Sequence, residues 1–194
     1  MFAEKQPQPP AIWPGNYPKE SMDIIRKYLS GRDIEAYSQY VQKEGRIAPA
    51  TPPFFILADI DGFTGFCDNN RSERIISLLE SFFGLAANRI HLYHGEVLKF
   101  IGDAVFAAVP DKETAVVASN NLLRQYRLNI QTKFGTDLIV LVSQPDHVFK
   151  GFVGSVPYVD YSYWSSGINR MFNSQKGLRP GRVYIISKDG VAPV

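Results

Sequence analysis

The chain has 194 residues, 45% of them hydrophobic and 13% aromatic, which is enough to bury one core, and this length favours a single main domain. The net charge of +2, from 21 basic and 19 acidic residues, is too balanced to indicate nucleic acid as a partner. The single cysteine excludes an intrachain disulfide and the apolar runs are too short to span a membrane, so we predict a cytoplasmic protein without a membrane partner.

The segment before the main domain divides by composition into two parts. Residues 1–18 are rich in proline, which removes backbone donors and disfavours helix, so an extended arm is predicted. Residues 19–50 carry apolar positions at helical spacing on both sides of Gly31 and are predicted to form a short helical extension. Prolines between residues 48 and 53 indicate a linker. The main domain is therefore predicted over residues 51–194.

The main domain alternates between strand and helix patterns. Its first apolar run, Phe54 to Ile60, is too short for a helix and suits a buried strand. The patterns that follow predict, in order, a helix from Arg71 to about Arg89, a two-stranded hairpin in GEVLKFIGDAVFAAVP, a helix from Thr114 to about Gln131, strands near 138–143, 147–154 and 182–187, and a helix between the last two. This order is typical of an α+β fold with helices on one face of a mostly antiparallel sheet.

Two aspartates are the strongest candidates for chemistry. Asp59 ends the first strand and Asp103 lies at the hairpin tip, so neighbouring strands would bring both carboxylates together. Burial without a cation would raise the pKa of at least one of them, whereas Mg²⁺ or Mn²⁺ would remove that penalty and form a two-metal site for phosphoryl chemistry. Each aspartate alone is more simply a cap or a turn residue, and only their combination favours metal.

A short loop after Asp59 is the second candidate. Gly62 allows the backbone to turn sharply, so that amide N–H groups can point at an anion. Metal ions and amides together could then bind a triphosphate. The simpler interpretation is an ordinary turn at Asp61 and Gly62.

Three sequence blocks together resemble the class III adenylate and guanylate cyclases. FFILADIDGFTGF resembles their first strand and metal loop, GEVLKFIGDAVFAAVP their second metal segment, and GFVGSVPYVDYSYWSSGINRMFN their glycine-led strand and following helix. The order and spacing of these blocks over roughly residues 54–187 are more specific than any one of them. The resemblance implies the cyclase catalytic fold, which is ferredoxin-like, and conversion of a nucleoside triphosphate to a 3′,5′-cyclic nucleotide and pyrophosphate.

The resemblance also implies residue roles. Asp59 and Asp103 match the metal aspartates, with Ile60 beside the metals, and two divalent ions are implied as cofactors. Lys99 matches the base-contacting lysine, and Asn169 the asparagine that steadies the ribose and the transition state. The triphosphate loop corresponds to Ile60, Asp61, Gly62, Phe63 and Thr64. In the family the metals bind one subunit while lysine and asparagine come from the other, which implies a homodimer with shared active sites.

Two positions depart from the family pattern. Ser162 stands where adenylate cyclases have Asp or Thr beside adenine, and a hydroxyl that both donates and accepts does not select one base. Asn173 stands where the family usually has an arginine, and an amide cannot supply its positive charge. Arg170, Lys188 or Arg182 are the cations that could substitute, with Arg170 the weakest because a basic residue on a helix is usually solvated.

The base and the activity therefore stay open between alternatives. Few residues lie outside the catalytic block. This arrangement resembles the stand-alone bacterial antiphage pyrimidine cyclases and favours UTP or CTP as the substrate, whereas Lys99 favours ATP. Asn173 motivates a rival, a nucleotide-binding pseudo-cyclase without turnover. A third alternative treats the aromatic residues between 158 and 164 as a platform for single-stranded nucleic acid, which the charge balance disfavours against core packing.

Overall fold

A computed structural model describes residues 48–50, 52–155 and 158–194. The strands are β1 (Ala48–Ala50), β2 (Phe54–Asp61), β3 (Glu96–Ile101), β4 (Ala104–Val109), β5 (Asp137–Ser143), β6 (Val148–Ser155), β7 (Tyr158–Trp164), β8 (Arg182–Ser187) and β9 (Gly190–Pro193). The helices are α1 (Phe63–Asp68), α2 (Ser72–Leu92), α3 (Lys112–Tyr126), α4 (Thr132–Phe134) and α5 (Ser166–Asn173), with a π-helical turn, Arg127–Gln131, between α3 and α4. The predicted arm and nearly all of the helical extension lie outside the described residues.

The chain forms two compact units. The larger contains Thr51–Val148 and Trp164–Val194, and the described part of the smaller contains β1 and Phe149–Tyr163. In the smaller unit β1, β6 and β7 form a three-stranded sheet in that order. The predicted linker is therefore wrong for Ala48–Ala50, which form a strand; among the described residues this strand lies at the edge of the sheet, where a proline such as Pro49 is tolerated.

The larger unit is built on a six-stranded sheet in the order β3-β4-β2-β5-β8-β9. Its pairs are antiparallel except β5 with β8, which run parallel. The succession β2, α2, β3, β4, α3, β5 with the strand order β3-β4-β2-β5 is the βαββαβ arrangement of a ferredoxin-like fold. The predicted fold class, a mostly antiparallel α+β sheet with helices packed on it, is confirmed.

One face of this sheet forms the main core with α2 and α3. Alternate β2 residues Ile56, Ala58 and Ile60 point into it, as the two-residue period of a strand requires. Helix α2 contributes Leu78, Phe82, Ala86 and Ile90, whose spacing of four places them on one helical face. The neighbours in β2, among them Leu57 and Asp59, consequently face the opposite side of the sheet, which we call the site face.

The site face is also covered, by α5. The Phe172 ring of α5 lies 5.4 Å from the ring of Phe106 in β4, and Phe106 is the register partner of Leu57. The expectation that all helices lie on one face is wrong for α5. Strands β7 and β9 were not predicted either. Among the described residues no helix combines the length and the apolar character that crossing a membrane requires.

Candidate active site

The structure brings Asp59 and Asp103 together at one end of the sheet. Asp59 is the register partner of Ala104 across the β2–β4 pair, and Asp103 is the residue immediately before Ala104. Gly102 and Asp103 form the two-residue β3–β4 turn, and Gly102 has a φ of 61°, a left-handed conformation that glycine adopts without strain. The predicted juxtaposition of the two carboxylates is therefore present.

The electrostatics of this pair are those of a site suited to a cation. Burial raises the pKa of Asp59 to about 6, with further contributions from the negative charges of Asp103 and then Asp61. Burial likewise raises the pKa of Asp103, although a hydrogen bond from its own backbone N–H opposes the shift. Two partly buried carboxylates that repel each other gain most from a divalent ion between them, because it offsets both burial and repulsion. The donor set therefore fits Mg²⁺ or Mn²⁺.

The protein ligands available to such ions are few. Within the described residues, no group of three or more His, Cys, Asp and Glu side chains could hold a metal. The Ile60 side chain is buried in the core, so its main-chain carbonyl is the only group with which it could bind metal. A site of this kind leaves coordination positions for water and substrate oxygens, as Mg²⁺ sites that bind phosphate do.

The predicted triphosphate loop has a distinct structure at each position. Asp61 ends β2, and Gly62 has a φ of 76°, which confirms the sharp turn. Phe63 begins α1 and packs against the core, whereas Thr64 is exposed. No side chain caps α1. Ile60 and Phe63 can therefore face a ligand only through their backbone groups.

Asp137 is a further carboxylate beside this loop, and the sequence did not predict it. Asp61 is the register partner of Asp137 in β5, and like charges directly opposite each other repel. Arg127 offsets this, because its Nη2 lies 3.8 Å from Asp137 Oδ2 and also donates to the Gly181 carbonyl at 2.7 Å. No local sequence signal connects residues so far apart, since their contact depends on strand order.

A β-bulge sets the direction of Lys99. Val97 pairs with Ala107, but Lys99 pairs with Phe106, which leaves Leu98 as an extra residue. Val97 packs against the core, so regular alternation would direct Lys99 to the core as well. The extra residue shifts the alternation and places Lys99 on the site face with Phe106. Bulges often reorient side chains next to active sites.

The side chain of Lys99 has a defined aromatic partner. Its Nζ lies 5.4 Å from the centre of the Trp164 ring, within the range of a cation–π interaction. Trp164 is the last residue of β7, and about a third of its surface (36%) stays exposed. The sequence pattern indicated this tryptophan only as part of an aromatic cluster. The cation–π contact identifies it as a residue that positions Lys99.

Helix α5 presents its polar residues away from the sheet. Ile168 and Met171 are buried, whereas Asn169, Arg170 and Asn173 are exposed. Because residues one apart on a helix differ by about 100° in direction, the amide of Asn169 does not point with Ile168 toward the sheet that carries Asp59. The structure therefore does not bring Asn169 or Arg170 to the carboxylate pair of the same chain.

The start of α5 is in close contact with the loop between β5 and β6. A Cβ at Gly167 would lie 2.6 Å from Cβ of Pro145, while a Cβ at Gly84 in α2 would meet nothing within 4 Å. We expect Gly167→Ala to destabilise the fold by about 1–3 kcal/mol through overpacking. Gly84→Ala should stabilise it by roughly 0.5–1 kcal/mol through helix propensity. Urea denaturation of both variants measures this; the same sign for both would contradict the packing argument.

Ser162 lies in β7 of the smaller unit, and its side chain is buried. A buried hydroxyl requires a hydrogen-bond partner, which can be protein, water or ligand. Its predicted role beside the base stays a prediction.

The sequence matches a few curated proteins of modest similarity. No protein-family model matches the chain. An uncharacterized protein of Mycobacterium tuberculosis strain H37Rv is 26% identical over 121 residues, which cover 59% of this chain and 22% of that protein. An uncharacterized protein of Mycobacterium bovis matches with the same identity and coverage. The chain thus spans about a fifth of the length of the curated relatives that it matches.

Solved structures match much more of the chain. A bacterial light-regulated adenylyl cyclase superposes with a TM-score of 0.68 at 20% identity, covering 87% of this chain and 52% of that one. The guanylate cyclase domain of RhGC from Catenaria anguillulae, in complex with GTP, gives 0.63 at 14% identity, with 71% and 79% covered. A dimeric guanylyl cyclase domain of the RhoGC fusion protein from Blastocladiella emersonii gives 0.61 at 14% identity, with 71% and 80% covered. This chain therefore has the fold of the class III adenylyl and guanylyl cyclase catalytic domains.

Proposed function

We propose that this chain is a metal-dependent nucleotide cyclase that converts a nucleoside triphosphate to a 3′,5′-cyclic nucleotide and pyrophosphate. The observation that carries the proposal is the Asp59 and Asp103 pair, whose raised pKa values have a cause that divalent cations would remove. The pair lies beside the Gly62 turn on the fold that adenylyl and guanylyl cyclases share. A carboxylate pair on an unrelated fold would support metal binding but not this reaction.

The residues present have separable roles in such a reaction. Two Mg²⁺ or Mn²⁺ ions, held by Asp59 and Asp103 with the Ile60 carbonyl, would supply Lewis acidity. The loop of Asp61, Gly62, Phe63 and Thr64 would position the triphosphate through its backbone N–H groups. The ribose 3′-hydroxyl gives its proton to a solvent water and its oxygen forms a bond to the α-phosphorus, while the bond from that phosphorus to the bridging oxygen breaks and pyrophosphate leaves. This in-line displacement needs no nucleophile from the protein.

We propose further that the active site is completed by a second copy of the chain. Asn169 is exposed on the flank of α5, about 100° around the helix from the buried Ile168. From there its amide is accessible to a second chain. The amide of Asn169 would hold the ribose of a nucleotide bound to the partner's metals, and Lys99 would contact its base. Arg170, on the same exposed surface, would lie near that substrate. A homodimer would contain two such shared sites.

For the base we propose a pyrimidine, with adenine as the second candidate. Lys99, the residue that favours adenine, is held by the Trp164 ring within its own chain, which restricts its reach to a purine edge. The Ser162 hydroxyl adds no selection for adenine. Lys99→Ala should lower turnover of ATP more than turnover of UTP or CTP. Equal losses on all triphosphates would show that Lys99 does not select the base.

One assay separates these possibilities. Purified protein with Mn²⁺ is incubated separately with ATP, GTP, CTP and UTP, and cyclic products and pyrophosphate are measured by mass spectrometry. We expect a cyclic product from UTP or CTP that disappears with EDTA. Dominant cyclic AMP would contradict the pyrimidine proposal, and no cyclic product from any triphosphate would contradict the cyclase itself. Triphosphate binding without turnover would select the pseudo-cyclase that Asn173 motivates.

The proposed biological role is a cytoplasmic second-messenger synthase in antiphage defence. It rests on the resemblance to the bacterial antiphage pyrimidine cyclases. Phage infection of cells that carry the protein should raise the level of the cyclic nucleotide within one infection cycle. An unchanged level, with the enzyme active in extracts of the same cells, would remove this role.

A further inference from the structure

The triphosphate and the two aspartates together carry more negative charge than two divalent ions neutralise, and the cations that could compensate are Arg170, Lys188 and Arg182. Two of them, Lys188 and Arg170, interact with a different carboxylate. Lys188 Nζ lies 2.7 Å from Asp146 Oδ2, and the charge of Arg170 also lowers the pKa of Asp146. Lys188 is therefore paired with Asp146, and Arg170 acts on the same carboxylate only through its charge; Asp146 is exposed on the loop between β5 and β6.

Arg182 has a different position. It is the first residue of β8 and the register partner of Ile139, which is in turn the register partner of Asp59. The next residue, Val183, belongs to the core, so Arg182 extends from the site face on which Asp59 lies. The side chain is exposed, and among the described residues no carboxylate forms an ion pair with it.

The separation between Arg182 and Asp59 suits a polyphosphate. Two strand spacings of about 4.8 Å place their backbones roughly 10 Å apart across β5. The intervening residue on this row, Ile139, is buried and apolar, so it offers no competing partner. A triphosphate bound at the carboxylate pair can extend along this row and contact the side chain of Arg182 in β8.

The backbone before Arg182 is anchored. The Gly181 N–H donates to the Leu138 carbonyl at 2.7 Å, and the Gly181 carbonyl accepts from Arg127. Gly181 has a φ of 76°, and a Cβ there would collide with Arg127 and Asp137, so only glycine fits. A fixed backbone reduces the entropy lost when the side chain binds, because less of the chain must be ordered.

We propose that Arg182 binds the terminal phosphates of the substrate and stabilises the pyrophosphate leaving group. The inference rests on the proposed function, since it assigns the cation for the same triphosphate site. A planar guanidinium can donate two parallel hydrogen bonds to phosphate oxygens. Arg182 thus supplies the positive charge that Asn173 does not.

The test compares Arg182→Ala and Arg182→Lys with Arg179→Ala, which removes an exposed arginine three residues earlier. The full-length protein is assayed for turnover with each triphosphate, and for pyrophosphate and nucleoside monophosphate binding with Mn²⁺ by calorimetry. We expect Arg182→Ala to lower kcat/KM and pyrophosphate affinity by about ten- to hundredfold, as loss of a hydrogen bond to a charged group does. Monophosphate affinity should not change, Arg182→Lys should recover part of the loss, and Arg179→Ala should match wild type.

The outcomes distinguish this inference from the cyclase proposal. If wild type produces a cyclic nucleotide and Arg182→Ala behaves as Arg179→Ala does, the role of Arg182 is overturned and the cyclase stands. If wild type shows no turnover but binds pyrophosphate more tightly than the Arg182→Ala variant does, the role of Arg182 is supported and the cyclase is overturned. Equal losses for pyrophosphate and monophosphate would indicate a structural effect and overturn the role. Wild type that binds no triphosphate overturns both.

Discussion

Asp59→Asn and Asp103→Asn are each expected to lower cyclase turnover by at least about a hundredfold, because metal-ion catalysis contributes several kcal/mol of transition-state stabilisation. The amide keeps the shape of the carboxylate but loses the negative charge that holds a divalent ion. Turnover across a Mn²⁺ titration measures the effect. The matched control is Asp189→Asn, an exposed aspartate in the β8–β9 turn. Either variant with wild-type turnover would contradict the metal assignment.

The same Asp59→Asn variant should be more stable than wild type when no metal is present. The pKa of Asp59 is raised from 3.8 to about 6. Between these two pH values the folded protein therefore keeps a proton that the unfolded chain has lost. Stability therefore falls as pH rises from about 4 to 6, and above pH 6 the full penalty is present. We expect a gain of about 1–2 kcal/mol at pH 7.5, discounted because the carboxylate is partly solvated, and little gain at pH 4.

Urea denaturation in EDTA at the two pH values measures this gain. A variant that is less stable than wild type at pH 7.5 would show that the carboxylate contributes to folding and would contradict the repulsion argument. Loss of turnover together with gain of stability is a combination that simple misfolding cannot produce.

Mixing two inactive variants should restore activity. Asp59→Asn damages the metal site of its own chain. Asn169→Ala removes the exposed amide that we propose completes the site of the partner. In an equal mixture that exchanges subunits freely, half of the dimers are mixed, and each of these has one intact site out of two. About a quarter of wild-type turnover is therefore expected, while each variant alone stays inactive.

The control for this mixing experiment pairs Asp59→Asn with Asp103→Asn. Both variants damage the same half of the site, so their mixed dimer contains no intact site and should remain inactive. If the Asp59→Asn and Asn169→Ala mixture also stays inactive although subunit exchange is demonstrated by fluorescence energy transfer, the active site does not combine residues from two chains.

The sequence predicted features that depend on local pattern. The apolar run before Asp59 indicated a buried strand, and Gly102 with Asp103 indicated a hairpin turn; a sheet that pairs these strands must bring the carboxylates together. Gly62 likewise indicated the turn that its positive φ confirms. These features needed only the period of a strand and the conformational freedom of glycine.

Features that depend on tertiary contacts were not predictable in this way. The opposition of Asp61 and Asp137 requires knowledge of which strand lies beside β2. The position of α5 on the site face depends on packing of Phe172 against Phe106, and its polar pattern does not distinguish the two faces of a sheet. The roles of Ser162 and Asn169 remain predictions, because each needs a substrate or a second chain.

The extra residue at Leu98 has an evolutionary consequence. If β3 lost this bulge without losing a residue, Leu98 would pair with Phe106 and Lys99 would pair with Val105, which belongs to the core, so the lysine would turn toward the helices. A relative could thus lose the lysine from the site face while keeping it in its sequence. When such sequences are compared, a lysine aligned at this strand indicates the same position in the site only where the bulge is kept.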